Sequence, residues 1–127
     1  MSAARVLVVD DNPTNLKLAS DVLEAAGYQV LKAADAEEAV VVIQETKPDL
    51  ILMDIALPGM DGLTLTRLLK ADQETHDILI VALTAFAMKG DDRKAFEAGC
   101  DGYISKPIDT RRLPLQVAEI LKRPPPG

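Results

Sequence analysis

Apolar residues along this chain fall into short runs that alternate between a continuous and a helical spacing. Arg5-Val-Leu-Val-Val9 is a β-branched run, and Asp10-Asp11-Asn12-Pro13 follows at once, with Asn12 suited to an N-cap and Pro13 to the first helical position. From Thr14 to Ala26 the pattern turns helical. Leu16, Ala19, Leu23 and Ala26 share a stripe flanked by Leu18, Val22 and Ala25, while Lys17, Asp21 and Glu24 oppose it. The arc is wider than one sheet contact needs, and a broad core stripe is preferred to a partner face at Leu18 and Val22. Gly27 is placed to end the helix.

Tyr28-Gln-Val-Leu31 alternates like a strand near a sheet edge, and Asp35-Ala-Glu-Glu38 has the form of a capping box that opens a helix running to about Thr46. Val40, Val41 and Val42 are poor helix formers within it. Leu50 to Met53 form an apolar run that suits a strand buried on both faces, with Asp54 at its carboxyl end. Leu63 to Ala71 is helical through Leu65, Leu68 and Leu69, and a polar loop from Asp72 to Asp77 holds the solvated His76. Ile78 to Leu83 is the most hydrophobic strand candidate and ends in Thr84-Ala85. Ala87 to Asp92, with Gly90, precedes a short helix to Ala98, and Gly99 ends it. Cys100 to Ile104 is a last strand, with Cys100 as a small core hydrophobe, leading to Ser105-Lys106-Pro107. A final helix from about Thr110 to Lys122 buries Leu113, Val117, Ile120 and Leu121.

Strand candidates near residues 5, 28, 50, 78 and 101, each followed by a helix, make a series of five βα units. The expected fold class is α/β: a five-stranded doubly wound parallel sheet, flavodoxin-like in order 2-1-3-4-5, with helices on both faces. The domain division is a single unit over 1–123 and a disordered Pro-rich tail over 124–127.

Composition narrows the chemistry. A chain of 127 residues, 48% hydrophobic, is long enough for one self-sufficient core. The net charge of −6, with 14 Lys and Arg scattered, opposes nucleic acid as a partner. Aromatics at 3% supply few stacking platforms. The lone Cys100 excludes an internal disulfide, and no stretch resembles a membrane span or a secretory leader. A cytoplasmic location is expected.

The strand ends carry the candidate site. In the expected order, Asp10 and Asp11 from the first strand meet Asp54 from the third, while Thr84 and Lys106 arrive from the fourth and fifth. Each has a bland reading alone, as turn, cap or solvated charge, but their joint position at one edge is hard to dismiss. Three clustered carboxylates call for a cation, and an all-oxygen donor set without His or Cys points to Mg²⁺, with Mn²⁺ as a substitute. Cation and Lys106 can neutralise the equatorial oxygens of a phosphoryl group, the Thr84 hydroxyl can donate to one, and Asp54 can attack in line.

These residues carry a family resemblance over about Arg5 to Lys122. The acidic pair Asp10-Asp11, the stretch Asp54-Ile-Ala-Leu-Pro58 with Met60-Asp-Gly62, the pair Thr84-Ala85, Tyr103 and Lys106-Pro107 resemble the receiver domains of two-component response regulators. Pro48 to Ile55, Thr84 to Asp91 and Tyr103 to Pro107 are most similar to single-domain regulators of cell division. The resemblance implies that Asp54 accepts phosphate from a phosphohistidine of a histidine kinase or phosphotransfer protein. It places Asp11, Asp54 and the Ala56 carbonyl on Mg²⁺, with Asp10 reaching the ion through water. It also implies a cis peptide before Pro107, and a switch in which Thr84, beside the small Ala85, moves inward and Tyr103 follows. Output is then contact with histidine kinases or related signalling proteins, in cell-cycle or polarity control, by a monomer or weak dimer. The protein is expected not to be an enzyme.

Three other readings stand beside this one. A phosphatase of the haloacid dehalogenase type also forms an aspartyl phosphate, but needs an acid two residues after the nucleophile, where this chain has Ala56. A nucleotide-binding domain lacks a Walker A or G-x-G-x-x-G sequence after any strand. A receiver cut from a hybrid kinase keeps the fold; Met1 and the Pro-rich end favour a free-standing protein.

Overall fold

The computed structural model describes residues 4–55, 57, 59–84, 91–106 and 108–122. Its elements alternate along the chain: β1 (Arg5–Val9), α1 (Pro13–Ala25), β2 (Gln29–Ala33), α2 (Ala36–Glu45), β3 (Leu50–Asp54), α3 (Gly62–Ala71), β4 (Leu79–Thr84), α4 (Asp91–Ala98), β5 (Gly102–Ser105) and α5 (Leu113–Leu121). The strands form one parallel five-stranded sheet in the order β2-β1-β3-β4-β5. This is the doubly wound order expected from the sequence.

Alternation along the strands divides the core between two helical layers. Leu7 and Val9 of β1 join Ile51 and Met53 of β3 against α2, α3 and α4, while Val6, Val8, Leu50 and Leu52 pack toward Leu23 of α1 and Val117 of α5. All five residues of β3 are buried, which is why that strand reads as a continuous apolar run. The edge strand β2 is buried only at Ala33 and extends two residues beyond Leu31, because β1 pairs with it as far as Val9↔Ala33.

Local signals set most helix starts. The Asn12 side chain accepts from the backbone N–H groups of Thr14 and Asn15, Asp35 accepts from Glu38 N–H, and Asp61 accepts from Thr64 N–H. Gly27 follows α1 with φ +102°, the left-handed C′ conformation. The valine run at 40–42 is helical after all, since Ala39 and Ile43 on either side of it face the core.

Several expectations are corrected. Ile78 precedes β4, whose pairing with β3 runs from Leu50↔Leu79 to Asp54↔Leu83, and the strand itself extends one residue further than expected, to Thr84, which pairs with Ser105 of β5. The first helix ends at Ala25, leaving Ala26 exposed, and the third begins one residue earlier, at Gly62. The last helix begins at Leu113 rather than Thr110, with 110–112 in a turn tied by Asp109. Leu68, expected in the core stripe of α3, is 54% exposed, because the buried face of that helix is made by Gly62, Leu65, Thr66 and Leu69. In α1, Ser20 is buried and satisfied by the Leu16 carbonyl, whereas Leu18 is exposed and Val22 half-buried. Leu121 is also only half-buried. The Ala87–Gly90 stretch and the Pro-rich tail lie outside the described residues.

One partly buried ion pair ties three elements together. Lys70 of α3 reaches Asp101 at 2.8 Å and donates to the carbonyls of Ile78 at 2.8 Å and His76 at 3.3 Å, while the same Asp101 oxygen accepts from Ile80 N–H. Both side chains are largely shielded, so the pair belongs between the exposed and the fully buried cases. Lys70→Met, which keeps the stem and removes the charge, is expected to cost about 2 kcal/mol, read as a lower urea midpoint at unchanged slope. An unchanged midpoint would mean that Lys70 only decorates the surface.

Candidate functional site

Parallel strands bring all their carboxyl ends to one edge, and β1 and β3 are neighbours at the centre of the sheet, where the order reverses. Pairing of Val9 with Met53 leaves Asp10 and Asp54 side by side one residue further on. Asp10 is tied down by its own N–H to the Ala33 carbonyl and by Asn12 N–H to its Oδ1. Asp54 is the last residue of β3, and Ile55 N–H after it donates to the Leu83 carbonyl of β4. Lys106 follows β5, with its backbone N–H on the Thr84 carbonyl.

The side chains converge. Asp10 and Asp54 are 1% and 4% exposed and Thr84 is 2% exposed, whereas Asp11 faces solvent. One carboxylate oxygen from each of Asp10, Asp11 and Asp54 lies within 4.8 Å of the others. The Lys106 ammonium stands 2.9 Å from Asp10 Oδ2 and 3.2 Å from Asp54 Oδ2. Apart from this ion pair with Lys106, the buried Asp10 Oδ2 has no partner among the described residues.

Three carboxylates and one ammonium leave the cluster with excess negative charge in a region of low solvent access. Burial pushes Asp10 above the ordinary aspartate range and the Asp54 charge adds to this, although Asn12 N–H and Lys106 act against it. For Lys106, burial works downward, but hydrogen bonding and Coulomb attraction from Asp10 and Asp54 outweigh it, and the ammonium is held above the ordinary lysine range. A hard divalent cation fits this donor set. It would relieve the mutual repulsion of the three carboxylates, of which Asp10 has only Lys106 close to its Oδ2, with Asp11 supplying the solvent-facing carboxylate.

The structure therefore brings together Asp10, Asp11, Asp54 and Lys106, with Thr84 adjoining through its backbone. Tyr103 is half-buried on β5 and packs against the core beneath α3 and α4. Ala56, Ala85 and Pro107, also named from the sequence, lie outside the described residues. Two further residues, named from the sequence only as a cap and as part of the resemblance, take a place in the site here. Asn12 holds Asp10 through its backbone N–H, and Gly62 lies so close to the end of β3 that a Cβ there would overlap the Asp54 carbonyl oxygen and approach Ile55 Cα within 2.9 Å. A glycine directly after the N-cap Asp61 is the available signal for the second.

Comparison with known proteins agrees with this geometry. A family described as "Response regulator receiver domain" matches residues 6–118. The polar-differentiation response regulator DivK of Brucella anthropi is 48% identical over 108 residues, 85% of this chain and 88% of that protein. The crystal structure of a CheY-like response regulator receiver domain protein from Methanospirillum hungatei is similar with a TM-score of 0.84 at 34% identity, covering 94% of each chain. Chemotaxis response regulator CheY4 of Vibrio cholerae gives a TM-score of 0.87 at 27% identity, over 93% of this chain and 98% of that one. With the family match spanning most of the chain, a DivK relative at that identity and five parallel strands delivering an acidic cluster to one edge, this chain belongs to the receiver domains of the response regulators.

Proposed function

We propose that Asp54 accepts a phosphoryl group from a phosphohistidine of a histidine kinase or phosphotransfer protein, and that the phosphorylated protein signals by contact with histidine kinases or related signalling proteins. The observation that carries this reading is a buried Asp54 whose carboxylate lies within 4.8 Å of those of Asp10 and Asp11 and 3.2 Å from the Lys106 ammonium. In the transfer, an Asp54 oxygen forms the new P–O bond as the P–N bond to the donor imidazole breaks, and the leaving imidazole keeps the electron pair and takes a proton. Lys106 meets the charge of the transferring oxygens from one side. Asp11, Asp54 and the Ala56 carbonyl, with Asp10 through water, would hold Mg²⁺, or Mn²⁺ in its place, and the bound ion would supply further positive charge to those oxygens. The protein acts as an acceptor that assists its own phosphorylation and dephosphorylation rather than as a turnover enzyme.

Likeness to DivK, a regulator of polar differentiation by name, supports a place in cell-cycle or polarity control. Among the described residues no helix is long and apolar enough to cross a membrane, which accords with a cytoplasmic signalling role. The direct test is incubation with acetyl phosphate and Mg²⁺, followed by borohydride trapping and peptide mapping. One phosphoryl group on Asp54, lost when EDTA is present, is expected; a stoichiometric acyl phosphate at another residue overturns the assignment.

The metal part has its own test. Asp11 is solvent-facing, so Asp11→Ala opens no cavity and removes one of three repelling carboxylates. The variant should stay folded but lose both Mg²⁺-dependent labelling and the rise in urea midpoint that Mg²⁺ gives the parent. Retention of either response would remove Asp11 from the ion.

Signal output rests on Thr84 and Tyr103. A phosphoryl group on Asp54 can draw the Thr84 hydroxyl toward it, and Tyr103, half-buried on the neighbouring strand, can turn into the vacated space. Thr84→Ala should accept phosphate at near the parental level yet lose most phosphorylation-dependent partner binding. Binding that keeps its full phosphorylation dependence in this variant would mean that the phosphate is read directly.

A further inference from the structure

An open groove between α2 and α3 has no part in the chemistry above. Val40 and Ile43 of α2 line one wall, Leu65, Leu68 and Leu69 of α3 the other, and the hollow measures about 720 Å³. Met60, in the loop that follows Asp54, closes one end and is shared with Val40 by a second hollow of about 540 Å³ at the start of α2. The two hollows are neighbours with Val40 and Met60 in both walls, and together they offer an apolar trough. Leu68 and Met60 are 54% and 43% exposed, so their apolar area is offered to solvent although Leu65 and Leu69 already complete the contact with the sheet.

The charges around this trough are mainly acidic. Asp35 and Glu37 stand at one end, Asp72 and Glu74 at the other. Among the described lining residues the cation is Lys47, and it is held by Asp77 at 2.8 Å. An apolar floor between two acidic ends suits a ligand with the opposite arrangement. We propose that the α2–α3 groove docks an amphipathic helix of a partner protein, with leucine-like side chains at i, i+3, i+4 and i+7 on the floor and Lys or Arg at both flanks.

Charge also argues against a second copy of this chain. A symmetric pairing through this face would bring acidic rims together in a protein whose net charge is −6. A basic partner helix gains from the same rim. Because Met60 lies in the loop leaving Asp54, an occupant touches the chain beside the phosphoacceptor, but docking itself requires no phosphate.

The test uses two synthetic helical peptides of about 15 residues, one with Leu at the anchor positions and Lys elsewhere, the other with Glu replacing Lys. Titration of the ¹⁵N-labelled protein with the Leu/Lys peptide should shift the amides of α2, α3 and the Met60 loop and leave those of α1 and α5 unmoved. Leu68→Asp, at an exposed position, should weaken binding at least about tenfold, and the Leu/Glu peptide should not bind. The double variant Asp72→Lys, Glu74→Lys keeps the apolar floor, and it should weaken binding and flatten its salt dependence. Asp54→Asn should bind like the parent, which separates this inference from the phosphoacceptor reading. Undiminished binding to Leu68→Asp, shifts centred on α1 and α5, or equal affinity for the Leu/Glu peptide would overturn it. So would a dimer, measured by sedimentation, that Leu68→Asp dissociates, since the occupant would then be a second copy.

Discussion

Asp54→Asn is expected to reduce phosphoryl incorporation from acetyl phosphate by at least on the order of a thousandfold while leaving the protein folded. The amide keeps the shape of the carboxylate but not its nucleophilic oxygen, and it withdraws a charge from the cation-binding cluster. Folding should tolerate the change because no cavity forms and Lys106 keeps Asp10 at 2.9 Å as its counter-charge. The substitution also lifts from Asp10 the neighbouring charge that raises its pKa. Stability should therefore stay within about 1 kcal/mol of the parent, with either sign. Intact-mass spectrometry reads the first effect and urea unfolding the second. A folded variant that still gains one acyl phosphate per chain would show that the nucleophile lies elsewhere.

Gly62→Ala should destabilise the protein by about 3 kcal/mol, a large share of the roughly 5–15 kcal/mol that holds a domain of this size. Alanine is ordinarily the better helix former by up to about 1 kcal/mol, so propensity alone predicts the opposite sign. The decisive contact is steric. A Cβ on Gly62 would overlap the Asp54 carbonyl oxygen and approach Ile55 Cα and Met53 Cγ at 2.9 Å each. Two of these three atoms are backbone in or beside a buried central strand, which cannot give way as a side-chain tip can. Relief requires α3 to move off β3 or the end of β3 to shift, and the second displaces Asp54. The variant should thus lose phosphorylation rate as well as stability.

Gly59→Ala is the matching control. Gly59 sits at φ +74° with nothing within 4 Å of the place a methyl group would take, so it carries only the left-handed penalty of about 1–2 kcal/mol. If Gly62→Ala proves as stable as the parent, the close approach of α3 to the end of β3 does not exist in solution.

The chain's local periodicity determined a good deal. Continuous apolar runs at Val6–Val9 and Leu50–Met53 and helical stripes after them establish the alternation of strand and helix, because side-chain spacing along an element is a local property. Once strands alternate with crossover helices they must be parallel, and parallel strands end together. Asp10, Asp54, Thr84 and Lys106 could therefore be placed at one edge without coordinates. Caps at Asn12 and Asp35 were legible for the same reason, since each is settled within three residues.

What the tertiary structure alone decided concerns neighbours far apart in sequence. Asp10 and Asp11 are adjacent and chemically identical, yet one is buried against Lys106 and the other faces solvent. No local pattern separates them. The Lys106–Asp54 contact joins residues 52 positions apart, and it exists because β4 holds β5 in register with β3. Leu68 fits the helical stripe as well as Leu65 does, but only the position of α2 leaves it uncovered over a groove. Gly62 belongs to the stretch that carries the resemblance, but why it must be glycine shows only when α3 is laid against β3, where the space for a single methyl group is already filled by the carbonyl of Asp54. Periodicity names the face of an element, whereas burial, charge pairing and close approach depend on which other face the folded chain brings to meet it.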